Sequence, residues 1–136
     1  MATEFIRFAS PRIDCDSQRD QGIFQIAYDL KYSGELDDEQ IDYLDELLDA
    51  YSKLPVPDCY HDRTIHVQRR KSAICWFKQD ARQFIRDMWT VAWFLKEHGV
   101  YLRLLRTKLP GRVLYEDKYQ VCAVPFRRAI ERKKAI

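Results

Sequence analysis

Residues 76 to 98 read Trp76-Phe77-Lys78-Gln79-Asp80-Ala81-Arg82-Gln83-Phe84-Ile85-Arg86-Asp87-Met88-Trp89-Thr90-Val91-Ala92-Trp93-Phe94-Leu95-Lys96-Glu97-His98, and the way this stretch folds decides what surrounds it. It contains neither Gly nor Pro. Gly99 follows at the place where a helix commonly ends in a left-handed residue, and Lys96 and His98 put positive charge in the last turn, where the helix dipole favours it. At about 100° per residue, Phe77, Ala81, Phe84, Ile85, Met88, Val91, Ala92 and Leu95 fall on one broad face. The spacing predicts one long helix over 76–98 with this face in the core. Trp76 and Phe94 lie on another side, so apolar residues cover more than half the circumference and the helix belongs at the centre of the fold.

A second flank of the same stretch carries Lys78, Arg82, Arg86 and Lys96 together with Trp89 and Trp93. Basic groups interleaved with indoles can hold phosphates and stack on bases. The competing expectation is that the rings pack beneath another element while the Arg and Lys stems lie across them. The usual burial of large aromatics favours this second arrangement.

Around that centre, 136 residues predict one domain spanning 1–136, large enough to bury a core without covalent staples. Plentiful aromatics argue against disorder. No apolar run of about 18 residues and no basic-then-apolar leader occurs, so neither a membrane span nor a secretory signal is expected and the cytoplasm is the default location. Cys15, Cys59, Cys75 and Cys122 are widely spaced with no C-x-x-C pair, which suits thiols better than a disulfide framework or a four-thiolate zinc site. The net charge of +2 hides an asymmetry: residues 1–57 balance to −8 and residues 58–136 to +10. A basic half raises the odds of a polyanionic partner. In so short a chain the halves must touch, so cover of basic surface by the acidic helices, in the same chain or a second copy, is the stronger expectation.

Taken in order, Glu4 to Ala9 has the content of a short strand, stopped by Ser10-Pro11. Asp16 or Ser17 can cap a helix over 18–33 that carries Ile23, Phe24, Ile26, Ala27 and Leu30 and closes at Gly34. Leu36 to Lys53 predicts a second helix with Ile41, Leu44, Leu47, Leu48 and Tyr51 inside and Glu39, Asp42, Asp45, Glu46 and Asp49 outside, antiparallel to the first. Leu54 to Asp62, with two prolines, is a crossing loop. Arg63 to Gln68 alternates enough for a short strand, and Arg69, Arg70 and Lys71 follow as a basic cluster. Beyond Gly99, residues 100–106 read as a strand, Lys108-Leu109-Pro110-Gly111 as a turn, and 112–115 with 119–124 as a hairpin through Glu116-Asp117-Lys118. Residues 126–136 form a basic terminal segment with Arg127, Arg128, Arg132, Lys133 and Lys134.

Three places have side chains suited to chemistry. Cys59, His61, Asp62 and His66 are zinc-type ligands, yet their spacing matches no standard site and a polar loop explains them, so no metal or cofactor is expected. Cys75 stands near Arg69, Arg70 and Lys71 at the start of the central helix, a setting that can activate a thiol, and Cys122 is a second candidate; a packing role is the simpler reading of either. Tyr115, Glu116, Asp117 and Gln120 at the hairpin suit acid–base work or a ribose hydroxyl. With Arg103, Arg106 and Arg112 on neighbouring strands they would make a mixed cleft, although adjacent acids at a turn are commonly turn chemistry alone. The chain has no Gly-rich phosphate loop, no nucleophile elbow and no paired metal histidines.

Cys75-Trp76-Phe77-Lys78, then Pro110-Gly111-Arg112-Val113-Leu114-Tyr115-Glu116-Asp117 with Gln120-Val121, together with Arg7-Phe8-Ala9-Ser10-Pro11-Arg12 and Gly22-Ile23-Phe24-Gln25, resembles a group of small uncharacterised bacterial proteins. The resemblance implies a bacterial, cytosolic source and supplies no activity, ligand or catalytic residue.

These readings converge on an α+β fold. Three or four antiparallel strands (the N-terminal strand, 100–106, 112–115 and 119–124), the last three a meander, pack on the long central helix with the acidic helical pair alongside. The leading functional expectation is a small cytosolic interaction or regulatory module that meets another protein or a second copy of itself. Nucleic-acid binding through Arg69, Arg70, Lys71, Arg82, Arg86 and the basic C-terminal segment comes second, without a recognisable module to support it, and Trp89, Trp93, Arg103 and Arg112 are further binding candidates. An enzyme with Cys75 or Tyr115, Glu116 and Asp117 at its centre comes third.

Overall fold

The computed structural model describes residues 3–13, 20–57, 63–65 and 67–126. The readings placed on Cys15, Asp16, Ser17, Cys59, His61, Asp62, His66, the side chain of Arg70 and the basic segment from Arg127 onward lie outside those residues. The elements run β1 (Phe5–Ile13), β2 (Asp20–Gly22), α1 (Ile23–Lys31), α2 (Asp38–Asp49), α3 (Val67–Ser72), β3 (Ile74–Lys78), α4 (Arg82–Glu97), β4 (Arg103–Thr107), β5 (Arg112–Glu116) and β6 (Gln120–Val124). The class is α+β, but the sheet is larger and differently wired than the sequence suggests.

The first correction concerns the central stretch. Its opening is the strand β3, and the helix starts only at Arg82 after a turn at Gln79-Asp80. Ile74, Trp76 and Phe77 are β-branched or aromatic, residues that fit a pleated surface well. Two partners claim them: β6 pairs along the whole of Ile74–Phe77, and β1 pairs at Phe77 and Lys78. From Arg82 onward the helical period holds. Met88, Val91, Phe94 and Leu95 are its buried residues, with Phe84, Ile85 and Ala92 half-buried beside them.

The second correction is topological. The strand order is β2-β1-β3-β6-β5, all antiparallel, with β4 on the other edge of β1. The meander therefore breaks: β4 leaves β5 and pairs with β1 from Phe5↔Thr107 to Ala9↔Arg103, while the β5–β6 hairpin attaches to the far edge of β3. Smaller differences follow from local causes. β1 runs past Ser10-Pro11 to Ile13 because its pairing with β2 shifts register between Ala9 and Ile13, an irregularity that accommodates a proline. The start of the expected first helix is β2, and the basic cluster 69–71 sits on the short helix α3 rather than after a strand.

Helices α1, α2 and α4 cover one face of the sheet. Ile6, Phe8 and Phe77 project from it into a core shared with Ile23, Ile26, Ala27 and Leu30 of α1, Leu44 of α2, and Met88, Val91 and Leu95 of α4. Each such large side chain taken fully out of water contributes roughly 1.5–3 kcal/mol. Asp37 caps α2, accepting from the Gln40 amide at 2.8 Å while the Gln40 side chain accepts from the Asp37 amide. Beyond α2, Tyr51 wedges its ring between Phe24 and Phe84, with centroids 4.9 and 5.8 Å away. Its hydroxyl donates to the Phe84 carbonyl at 2.7 Å, and burial, aided by the nearby Asp87 charge, raises its pKa far above the usual phenol value.

Within this chain the acidic helices leave Arg69 and Lys71 of the basic cluster exposed. Among the described residues, Lys31 meets Asp45 at 2.6 Å within the acidic half, and Arg106–Glu4 at 2.9 Å is the ion pair that joins the two halves. α2 instead packs on α4 through Tyr43 and Phe94, whose rings lie 5.6 Å apart.

Gly111 has φ +130°, and a Cβ built there would overlap the carbonyl oxygen of Val124 on β6. Gly111→Ala should lower unfolding free energy by about 3 kcal/mol or more, the sum of positive-φ strain and a backbone shift. Gly34→Ala, which points into open space at φ +85°, should cost only about 1 kcal/mol. Urea denaturation of both variants measures the difference.

Candidate functional site

The wiring of β1 creates an opening in the sheet. Phe5 and Ile6 pair with β4 on one edge and with Lys78 and Phe77 of β3 on the other. At Ala9 the β4 edge is still occupied by Arg103, so the pairing of Ala9 with Gly22 uses the same edge as β3. β1 thus parts from β3 after Ile6 and takes up β2 from Ala9, leaving a fork between them. A cavity of about 450 Å³ lies there, within the usual range for small-molecule sites.

Its walls come from five parts of the chain. Ile6, Phe8, Phe77 and Met88 line the deep end, Ile23 and Phe24 come from the start of α1, and Val67 and Lys71 come from α3. Val67 and Lys71 are exposed, so they stand at the mouth. Lys71 makes no ion pair among the described residues, and Arg7 adds a second cation to the lining, with its guanidinium 3.7 Å from the place a Cβ on Gly22 would take. Gln120, buried at the floor, is fixed by donating to the Pro55 carbonyl at 2.6 Å and to Asp117 at 3.1 Å. Trp76 also borders the cavity, and its buried indole N–H has no hydrogen-bond partner among the described residues.

A second feature is the outer face of α4. Arg82, Arg86, Trp89, Trp93 and Lys96, spaced alternately four and three apart, form one exposed stripe. Trp89 sets its edge on Phe8 at 5.0 Å and stays 47% exposed, while Trp93 is 60% exposed beneath Lys96, whose ammonium lies 5.0 Å above the ring. The expectation that both rings would be covered fails for Trp93 and is half met for Trp89. Arg82, Arg86 and Lys96 form no ion pair among the described residues.

The hairpin does not form the mixed cleft. Arg103 lies on β4 and Arg112 on β5, with β1, β3 and β6 between them. The acids are occupied structurally: Glu116 meets Lys78 at 2.6 Å, and Asp117 accepts from the Tyr115 hydroxyl at 2.7 Å, from the amides of Tyr119 and Gln120 at 2.7 and 3.0 Å, and from the Gln120 side chain. Partial burial pushes the Asp117 pKa upward, but these bonds from Tyr115, Tyr119 and Gln120 outweigh it and hold the carboxyl below its usual value. Cys75 also departs from its expected setting, in the middle of a strand rather than at a helix N-terminus. Among the described residues no group of three or more His, Cys, Asp or Glu is placed to hold a metal ion.

Of the residues singled out from sequence, Lys71, Cys75 and Gln120 reach the cavity, and Arg82, Arg86, Trp89 and Trp93 share the stripe. Arg69 is exposed on α3, away from both. Phe8, Phe24, Val67 and Met88 belong to the cavity and were legible only as core or strand, because their meeting depends on the fork.

Asp117→Ala should cost about 1–3 kcal/mol at neutral pH, since it leaves several partly buried donors without an acceptor. Because the native pKa is depressed, the carboxylate's contribution is fully present above the unfolded value of about 4 and is lost as pH falls through the native one. The gap between variant and parent, measured by denaturant unfolding, should therefore narrow as pH falls below about 4.

Compared with known proteins, the chain matches no family model, no curated protein and no solved structure.

Proposed function

We propose that the protein is a small regulatory binding module whose ligand is an amphipathic carboxylate held in the fork of the sheet. The observation that supports this reading is the cavity of about 450 Å³ with apolar walls and a cationic mouth. Transfer of an aliphatic or aromatic body onto Ile6, Phe8, Phe24, Phe77 and Met88 supplies affinity through apolar burial, at roughly 25 cal/mol per Å² before the costs of association. Lys71, exposed at the rim, gives the acid head an opposite charge without requiring the lysine to be stripped of water. The occupied acids of the hairpin make turnover at that place the weaker reading.

Titration of Trp fluorescence with medium-chain fatty acids and aryl carboxylates tests this. Saturable quenching or enhancement is expected, with Lys71→Glu weakening binding about tenfold, or about 1.4 kcal/mol, and Val67→Trp, which fills the mouth, abolishing it. Binding that ignores both substitutions, or none at millimolar ligand, would overturn the proposal.

A second reading rests on the α4 stripe. Two exposed indoles in line with three cations that lack ion pairs among the described residues suit single-stranded nucleic acid, through stacking of about 1–3 kcal/mol per base and phosphate contacts. A labelled oligonucleotide followed by fluorescence anisotropy should bind with a steep salt dependence and lose about tenfold or more in affinity in Trp89→Ala/Trp93→Ala. Unchanged binding in that variant would remove the stripe from consideration.

A further inference from the structure

β3 and β6 pair with Cys75 directly opposite Cys122. The Lys78 amide donates to the Tyr119 carbonyl at 2.8 Å, which makes those two a hydrogen-bonded pair. Alternation along the antiparallel ladder then makes Cys75–Cys122 a non-hydrogen-bonded pair, the kind in which Cα atoms approach to about 4.5 Å and side chains come closest. That separation lies inside the range of roughly 4.4–6.8 Å that a disulfide bridges. The two thiols lie accordingly on one face of the sheet, Sγ to Sγ 3.2 Å, and are not joined. Cys122 is wholly buried, whereas Cys75 is half-buried and borders the cavity, so a dissolved reagent meets Cys75 first.

We propose that Cys75 and Cys122 are a thiol–disulfide switch that closes across β3 and β6 on reaction with a low-molecular-weight disulfide. Cys75 loses its proton to solvent, and its thiolate attacks one sulfur of the reagent. A sulfur–sulfur bond forms to that half, and the other half leaves as a thiolate that takes up a proton. Cys122 then loses its proton and attacks the Cys75 sulfur, expelling the second half as a thiol. The protein gives up two hydrogens and two electrons, and the small disulfide becomes two thiols. Lys71 lines the same cavity as Cys75, and a cation there favours the attacking thiolate. The bond joins positions 47 residues apart, so it restricts the unfolded chain strongly, and it fixes the strand that walls the cavity. None of this requires the ligand proposed above.

A Cys15→Ser/Cys59→Ser chain leaves only this pair of thiols. Treated with oxidised glutathione, it should lose the mass of two hydrogens and become resistant to alkylation at both positions. It should also yield a joined peptide pair containing Cys75 and Cys122 and recover on addition of dithiothreitol. Its Tm should rise by on the order of 10 °C. Glutathione left on Cys75 as a lasting mixed disulfide, or two thiols that remain open to alkylation, would overturn the proposal. Should the double variant misfold, the peptide map of the unsubstituted chain decides: a Cys75–Cys122 bridge as the main product supports the switch, and a bridge to Cys15 or Cys59 in its place overturns it.

Discussion

The pairing of β1 on both of its edges is the interaction on which the rest of the structure depends. Over Phe5 to Ala9 the strand holds β4 along one side, and along the other it holds β3 and then β2. Without it the β3–β6–β5 unit and the β4 strand share no hydrogen-bonded neighbour. Ile6 and Phe8 of the same strand enter the core beneath α1 and α4, so the sheet and the helical layer are tied by the same few residues. An antiparallel strand paired on both edges is buried and strongly specified in register, since a slip of one residue would turn Ile6 and Phe8 to the opposite face.

The cavity is a consequence of that pairing. Because β1 changes partner between Ile6 and Ala9, two strands diverge where a regular sheet would have a continuous ladder. The gap is lined by whatever the neighbouring elements present: aromatic rings from β1, α1 and β3, a methionine from α4, a lysine from α3. The cysteine pair sits one layer further along the same strand, where β3 has left β1 and is held by β6 alone. Cavity and thiol pair therefore share one wall, which gives a physical route by which the oxidation state of the thiols can alter the cavity.

What the sequence reveals about this chain is what local pattern controls. The helix from Arg82 to Glu97 follows the 3.6-residue period, α2 follows from the spacing of Ile41, Leu44, Leu47 and Leu48, and the β5–β6 hairpin follows from alternation around Glu116-Asp117-Lys118. The strand at Ile74–Lys78 was hidden because Phe77 also falls in phase with the helix that follows and no Gly or Pro marks the break. Only its partners, dozens of residues away in sequence, decide the matter. The same holds for β4, whose nearest neighbour in sequence is not its neighbour in the sheet, and for the fork, which draws on five separated segments. The exposure of Trp93 escapes prediction for a different reason: periodicity assigns a residue to a helix face, but the cover on that face belongs to other elements. Cys75 and Cys122 carry no motif, and their opposition is a matter of register.

Residue-resolved amide hydrogen exchange tests the role of β1 most directly. If β1 joins the two parts of the sheet, its amides between Phe5 and Ala9 should exchange only through global unfolding, in the same slow class as those of Val91 and Leu95 in α4 and of Val121 in β6. Early exchange along β1 while β3, β6 and β5 stay protected would mean that the two parts of the sheet hold independently, and that the fork between them is not a fixed feature of the fold.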